Sequence, residues 1–452
     1  MPKIIKNGRD YSGVPIEVVT AWLPTEDSVQ IKEPIIGNTD ISDIGDGTIT
    51  GAIDSLNEAI HTKEYTLYGF KLFGGESSPN ANVIYLEDAS GMTPAHMDFT
   101  NGVFDYGSWE NAFFMPKPCM VKFDGTVDYY LDPNDFDKKA DGTASDFKNV
   151  SYAGNAMIEF GQNGKKIWYK IIPDAANGAE FYISDTKIDP AYKCWSFINS
   201  RGEEISHFYM PACNGYLDSN NKMRSIGGQA IKQSLAGASE QTYCLNNNTT
   251  SEVEWYTDVF CDRILINMLL VLIGKSTDTQ TVFGQGLTSG NQTALNDYRT
   301  GALSDKGMFF GYSDTTHGVK VFGIENWWGA QWRRTAGLNL NNGTLKYKMT
   351  QPYSEASTDY TSVGAGIGGT SGGYISQMRF TEDAFMAKTV SGSSSTYYCD
   401  GQWFNNSGNM WSLFGGTSHH GALCGCFCCD LSGALSYSGW NSGCALSLKP
   451  LS

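Results

Sequence analysis

The stretch Ala422-Leu423-Cys424-Gly425-Cys426-Phe427-Cys428-Cys429-Asp430-Leu431 alternates. Leu423, Gly425, Phe427, Cys429 and Leu431 share one side at spacings of two, and Ala422, Cys424, Cys426, Cys428 and Asp430 share the other. A period of two is the mark of a β-strand, whose successive side chains leave opposite faces. The first side is largely apolar and is expected to face a core. The second is expected to face solvent as a row of thiols that folding does not require. A purely structural surface avoids exposed free thiols, so such a row points to positions sampled for contact.

The same residues bear on metal chemistry. Cys426 and Cys429 stand at Cys-x-x-Cys spacing close to His419 and His420, which are ligand types for a soft metal ion. A zinc site of this kind needs a second such pair or two spaced histidines. Thiols in a row on one strand face do not converge on a tetrahedral centre. No metal and no cofactor are therefore expected, and disulfides between such neighbours would be strained. The chain has 11 Cys, an odd number that does not suit a disulfide framework. Six are scattered (Cys119, Cys194, Cys213, Cys244, Cys261, Cys399) and are expected to be reduced and mostly buried, while Cys444 completes the C-terminal group.

Outward from this stretch, a chain of 452 residues with 13 % aromatic residues, 51 Gly and only 18 % charged residues describes a loop-rich globular protein with many short strands. A disordered chain would lack the aromatics. The net charge is -16, and Lys and Arg occur singly or in pairs such as Arg333-Arg334. Gripping phosphates takes a basic face, so neither nucleic acid nor an anionic membrane is an expected partner. The longest apolar run, 264–273, is interrupted by Asn267 and is about half of a bilayer span, so no membrane insertion is expected. Met1-Pro2-Lys3-Ile4-Ile5-Lys6 has charge but no apolar core behind it, which predicts synthesis in a cytosol without the standard export route.

Residues 66–73, 125–131 and 166–172 have the short β-rich pattern bounded by turn residues. The clearest helix is 258–275, with Thr257 or Asp258 as its cap and Gly274 and Lys275 at its end. Its apolar residues go round most of the circumference, so burial on several sides is expected. In residues 1–62, which contain no Cys, Ile53, Leu56 and Ile60 make a helical stripe. It is too short to stand alone and reads as an oligomer seam or a docking element for the domain that follows.

The enzyme motifs fall short. Gly274-Lys275-Ser276 has Leu269 where a phosphate loop needs Gly. The Gly-rich stretch 364–373 reads as a flexible loop. Within it Gly369-Thr370-Ser371-Gly372-Gly373 has nucleophile-elbow spacing, but neither a strongly apolar strand nor a helix pattern flanks it. The six His form no His-Glu-x-x-His pair. No catalytic residue is assigned, and an enzyme is not expected.

Three segments carry a family resemblance. The end of the chain, from Trp411-Ser412-Leu413-Phe414-Gly415-Gly416-Thr417-Ser418-His419-His420-Gly421 through Gly443-Cys444-Ala445-Leu446-Ser447-Leu448-Lys449-Pro450, resembles the variable end of phage tropism determinants. These are ligand-binding proteins with a C-type-lectin fold, diversified by retroelements. Their Gly-Gly pair, their Ala-Gly-x-Phe-type strand and their closing Gly-x-x-Leu-x-Leu-Lys look like Gly415-Gly416, residues 423–427 and residues 443–449. Thr417, Ser418, His419, His420, Cys424, Cys426, Cys428, Tyr437 and Ser438 are all residues that adenine mutation of Asn-type codons yields. Gly323-Ile324-Glu325-Asn326-Trp327-Trp328-Gly329-Ala330-Gln331-Trp332 is similar to a core motif of lectin-like and sulfatase-activating folds, where it buries aromatics beneath the binding face. Residues 41–56 are similar to stretches of phage tail-fibre N-terminal regions.

The lectin-like resemblance covers roughly residues 65–452. It implies an α+β, C-type-lectin-like domain with many short strands, loops and insertions over 63–452, with a variable segment at about 411–446. Residues 1–62 would be a tail-attachment and oligomerisation region. The implied function is that of a bacteriophage tail receptor-binding protein, made in the host cytoplasm and carried in the virion. It would recognise a glycan or protein of the host surface through Thr417, Ser418, His419, His420, Cys424, Cys426, Cys428, Asp430, Tyr437, Ser438 and Trp440. Other tail or baseplate proteins would be met through the N-terminal region. A homotrimer is implied, in which linked sites raise avidity by about 10²–10⁴. The alternatives are a structural baseplate protein without receptor contact and a formylglycine-generating-type enzyme. The latter needs a reactive low-pKa cysteine pair, and the paired catalytic Cys of those enzymes has no clear counterpart here.

Overall fold

The strand Trp332–Asn341 is buried over all but its last residue because it has neighbours on every side. Residues 258–259 and 442–443 pair with it in parallel, and residues of Thr344–Tyr347 and Asn409–Phe414 antiparallel. Trp332, Ala336, Leu338 and Leu340 suit a strand covered on both faces. The polar residues among them are partnered. The Arg333 guanidinium donates to Asp258, Arg334 Nε to Glu240 at 2.7 Å, and Asn339 Nδ2 to Ser357 Oγ at 2.6 Å.

This computed structural model describes residues 65–75, 83–443 and 445–451, with an antiparallel backbone pair Ile5–Lys6 and Arg9–Asp10. The stripe at 53–60, the tail-fibre-like segment 41–56 and Cys444 lie outside the described residues. Contacts divide the chain into Met1–Thr66 and Leu67–Ser452. The protein is β-rich, with 35 % strand against 12 % helix. The three stretches expected as strands coincide in most of their length with Leu67–Leu72, Val127–Asp132 and Trp168–Asp174, the last two of which run on to Asp132 and Asp174. Two of these belong to a four-stranded antiparallel sheet in the order Trp168–Asp174, Gly178–Ser184, Leu67–Leu72, Ile84–Glu87.

A larger mixed sheet holds most other strands. Its strand Leu446–Pro450 runs antiparallel to Val253–Val259. There Trp255, Leu446 and Leu448 pack with Cys119, Met157, Tyr209 and Cys244 in one buried cluster. The Gly-rich stretch 364–373 is not wholly loop: Gly368–Gly369 pairs with residues 389–390, and Gly372 opens the strand Gly372–Phe380.

Four helices are described: α1 (Gly237–Leu245), α2 (Phe260–Gly274), α3 (Thr279–Phe283) and α4 (Asn291–Asp297). None is long and apolar enough to cross a membrane. Every residue of α2 is buried, as its all-round apolar pattern predicts. Its start differs from expectation. Asp258 and Thr257 belong to the preceding strand, where Asp258 pairs with Arg333 and the Thr257 hydroxyl donates to the Arg334 carbonyl. No side chain caps α2, and Val259 takes the cap position. Its end is as expected: Lys275 adopts φ 49° and stops the helix.

The motif at 323–332 is buried throughout. The Glu325 carboxylate accepts the backbone N–H groups of Gly301 at 2.8 Å and Leu303 at 2.9 Å, which pins the loop after α4. Trp327 Nε1 donates to Asn267 Oδ1 of α2 at 2.8 Å, and Trp328 Nε1 to the Gly284 carbonyl at 3.1 Å. Two indoles are thereby tied to α2 and to the loop after α3, directly beneath the turn at Gly415, whose carbonyl accepts the Gly329 N–H at 3.0 Å.

Candidate functional site

The decisive stretch does not form the expected strand. Residues Gly421–Leu423 make a single 3₁₀ turn, 424–428 is an irregular loop, and only Cys429–Leu431 is strand. Cys424, Cys426 and Cys428 are fully buried, as are Thr417 and Ser418. The outward row of thiols is therefore overturned, and with it the assignment of these five residues as ligand contacts.

The physical reason lies in Gly425 and Asp400. A Cβ on Gly425 would collide with the Asp400 carboxylate, which accepts the Phe427 N–H at 2.8 Å. The chain is thus drawn inward and cannot run as a pleated strand. Its remaining backbone groups find interior partners. Asn267 Nδ2 donates to the Cys426 carbonyl at 2.6 Å, the Cys426 N–H donates to Thr279 Oγ1 at 3.2 Å, and the Gly415 N–H donates to the Cys428 carbonyl at 2.9 Å. Small apolar thiols suit such a passage. All ten described cysteines are buried, the scattered six included. Burial raises the thiols of Cys424, Cys426 and Cys428 well above their ordinary value, the opposite of a reactive cysteine.

Six of the expected residues do reach the surface: His419, Tyr437 and Ser438 are exposed, and His420, Asp430 and Trp440 are half-buried. Asp430 is half-buried and turns back to accept the Ser432 N–H at 2.7 Å. The three rings come together with one that sequence reading missed. Trp440 lies 5.6 Å from His419, His419 lies 4.0 Å from His420, and His420 lies 4.6 Å from Trp403, between ring centroids. Successive planes are tilted by 46°, 36° and 46°, so the rings follow one another as a tilted file with His420 packed between His419 and Trp403. Trp332, 2 % exposed, lies 5.1 Å from His420 and 5.7 Å from Trp403.

Local structure fixes each member. Gly415 and Gly416 both take positive φ, 92° and 82°, and a Cβ on Gly416 would strike the Cys424 sulfur. That turn leads into Thr417 and Ser418, which are buried because they anchor the two histidines. The Ser418 hydroxyl donates to the Asn291 carbonyl of α4 at 2.7 Å, and its N–H donates to the Ala330 carbonyl at 3.0 Å. Thr417 Oγ1 lies 2.7 Å from His419 Nδ1 and 3.0 Å from His420 Nδ1. Trp440 packs against the cluster of Leu295, Leu287 and Ile231. Trp403 belongs to the strand Gly401–Phe404, and its indole covers Gly372 on the paired strand.

Burial lowers the pKa of both histidines. For His420, with its neighbour His419 adding to the effect, it falls to about 3. The pair is neutral at physiological pH. Among the described residues no three His, Cys, Asp or Glu side chains gather as a metal site. The arrangement offers aromatic surface and uncharged hydrogen-bonding groups on a rigid support. No signal in the sequence singled out Trp403, whose place in the row depends on long-range pairing.

No protein-family model and no curated protein sequence matches the chain.

Proposed function

We propose that the chain is a receptor-binding protein of a bacteriophage tail, with a C-type-lectin-like C-terminal domain that contacts the host bacterial surface. The observation that carries the reading is the surface row Trp440–His419–His420–Trp403, in which His419 is exposed and the other three rings are half-buried. Trp440, His419 and His420 sit inside the segment that resembles the variable end of tropism determinants, joined by Trp403 from the strand Gly401–Phe404, on a support of buried indoles and tied-down turns. The contacts are then His419, His420, Tyr437, Ser438 and Trp440, joined by Trp403. Variation of the kind the resemblance implies is confined in this reading to 419–420 and 437–440, because buried positions such as Cys426 cannot change freely without loss of packing. Residues 1–62 serve attachment to other tail proteins and assembly of a homotrimer, whose several copies compensate for a weak single contact. The acidic net charge disfavours nucleic acid as a partner.

The test is adsorption of the purified full chain to intact cells of the bacterium that harbours the gene. Saturable adsorption that competes with phage attachment is the expected result. A well-folded chain that does not adsorb to those cells overturns the proposal.

A further inference from the structure

We propose that Lys449 and Asp262 condense into an intramolecular isopeptide bond, with Glu254 carrying the proton. This bond is independent of what the C-terminal face binds.

The strands bring the three groups together. Leu446–Pro450 sets Lys449 directly opposite Glu254 of Val253–Val259, and opposite residues of an antiparallel pair share a face. Trp255 and Leu448, one step along, turn to the other face and fill the buried cluster with Cys119 and Met157. Glu254 and Lys449 instead line one narrow cleft with Ile198, Tyr256 and Tyr353. Lys449 Nζ lies 3.4 Å from Asp262 Oδ1, in the first turn of α2. It also donates to the Ile198 carbonyl at 3.3 Å and lies 3.6 Å from the Cys261 sulfur. The Asp262 side chain is wholly shut off from solvent, and that of Lys449 is 11 % exposed.

Two features set this cluster apart from an ordinary ion pair. The first is unmet bonding. Asp262 Oδ2 and Glu254 Oε2 are buried and have no hydrogen-bond partner among the described residues, whereas a buried carboxylate is normally satisfied on both oxygens. Burial raises both carboxyls above the ordinary carboxylate range. With two carboxyls to one ammonium, electroneutrality places a proton on one of them, and Asp262 holds the ion pair. The second feature is the product. Burial works against the charge of Lys449, but Asp262 and Cys261 outweigh it and the resting group is the ammonium. Condensation replaces these two buried charges by one neutral amide, which removes their desolvation cost. Holding the amine beside the carboxyl carbon is worth an effective concentration of about 10⁵–10⁸ M.

The step balances without a co-reactant. The Lys449 ammonium passes a proton to the Asp262 carboxylate, leaving an amine and a carboxylic acid. The Nζ lone pair forms a bond to Cγ. Oδ1 accepts the Cys261 thiol at 3.3 Å, so Oδ2 is the oxygen that departs. Glu254 gives its proton to that hydroxyl, the Cγ–Oδ2 bond breaks, and the proton shed by Nζ returns to Glu254. One water leaves, and the last strand is stapled to the first turn of α2.

The test is the mass of the full purified chain under denaturing conditions, with a thermal melt of the same sample to show that it is folded. The expected mass is one water below that of the sequence, and proteolysis should yield a branched peptide joining the segment of Asp262 to that of Lys449. Asp262→Ala and Lys449→Met should each show the full sequence mass of the variant. Asp262→Asn should still link and lose one ammonia instead, a signature that no ion pair gives. Glu254→Gln should slow linkage by about 10²–10⁴-fold with the fold retained, followed as mass against time after refolding; linkage at the wild-type rate would overturn its part as proton carrier. A folded wild-type chain that keeps its full sequence mass overturns the inference, as does a branched peptide through another pair. Neither result bears on adsorption to cells.

Discussion

Arg333 and Asp258 form a two-pronged ion pair inside the protein, with Nε to Oδ2 at 2.8 Å and Nη2 to Oδ1 at 3.2 Å. Both side chains are almost wholly shut off from solvent. It ties the longest described strand to the strand that leads into α2, and Arg263 of that helix stacks 3.9 Å over Trp327. Breaking a buried pair on one side leaves an uncompensated charge. Asp258→Asn should therefore cost about 3–5 kcal/mol, read as a fall in the urea midpoint. The double variant Asp258→Leu with Arg333→Met should recover much of that loss. A single variant as stable as wild type would refute the pairing.

Acid should weaken the fold through His420. Its pKa is about 3 in the folded chain against about 6.5 when unfolded, so between these values the unfolded chain binds more protons. Stability is fully present above about pH 6.5 and falls as pH drops towards 3. His420→Gln should flatten that part of the stability-against-pH curve, measured by thermal melts at fixed ionic strength. An unchanged curve would mean that the ring is not held neutral.

Thiol chemistry separates the observed structure from the expected strand. With ten cysteines buried, at most Cys444 should react with a thiol reagent in the native chain, and all eleven after unfolding. An outward row would have given three fast-reacting thiols. Cys426→Ser, which places a hydroxyl in a thiol site, should destabilise by about 1–3 kcal/mol, whereas Cys426→Ala should cost less.

The turn at Gly416 sets the position of both histidines. Gly416→Ala would strain a residue at φ 82° and drive a methyl into the Cys424 sulfur, costing about 1–3 kcal/mol. Adsorption to cells should fall with it. Glycine at the neighbouring exposed position 422 (Ala422→Gly) should leave adsorption unchanged, as a control for general loosening.

Much of the framework was legible. The all-round apolar run predicted a buried α2, and the short β-rich segments became strands, because both signals depend on near neighbours in sequence. The motif at 323–332 was expected to bury its indoles and does so. The cap of α2 was misread because Asp258 is claimed by Arg333, 75 residues away, and local rules do not see such a partner. The thiol stretch was misread for a related reason. Its alternation is real, but the Asp400 carboxylate beside Gly425 pulls the backbone out of the strand path. Periodicity reports which side chains would share a face if a strand formed, and says nothing of a distant carboxylate that competes for the backbone N–H groups. Trp403 became visible only when its strand was paired with the segment at 372–374.

The hydroxyl shared by His419 and His420 makes their tautomers interdependent. When the Thr417 O–H rotates from one Nδ1 to the other, both rings must exchange roles together, so one Nε2 carries a proton and the other is bare in one setting, and the reverse holds in the other. The two settings differ only by a rotor and two ring protons. Such a pair has no built-in direction: whichever ring holds the outer proton, the two together offer the same one donor and one acceptor.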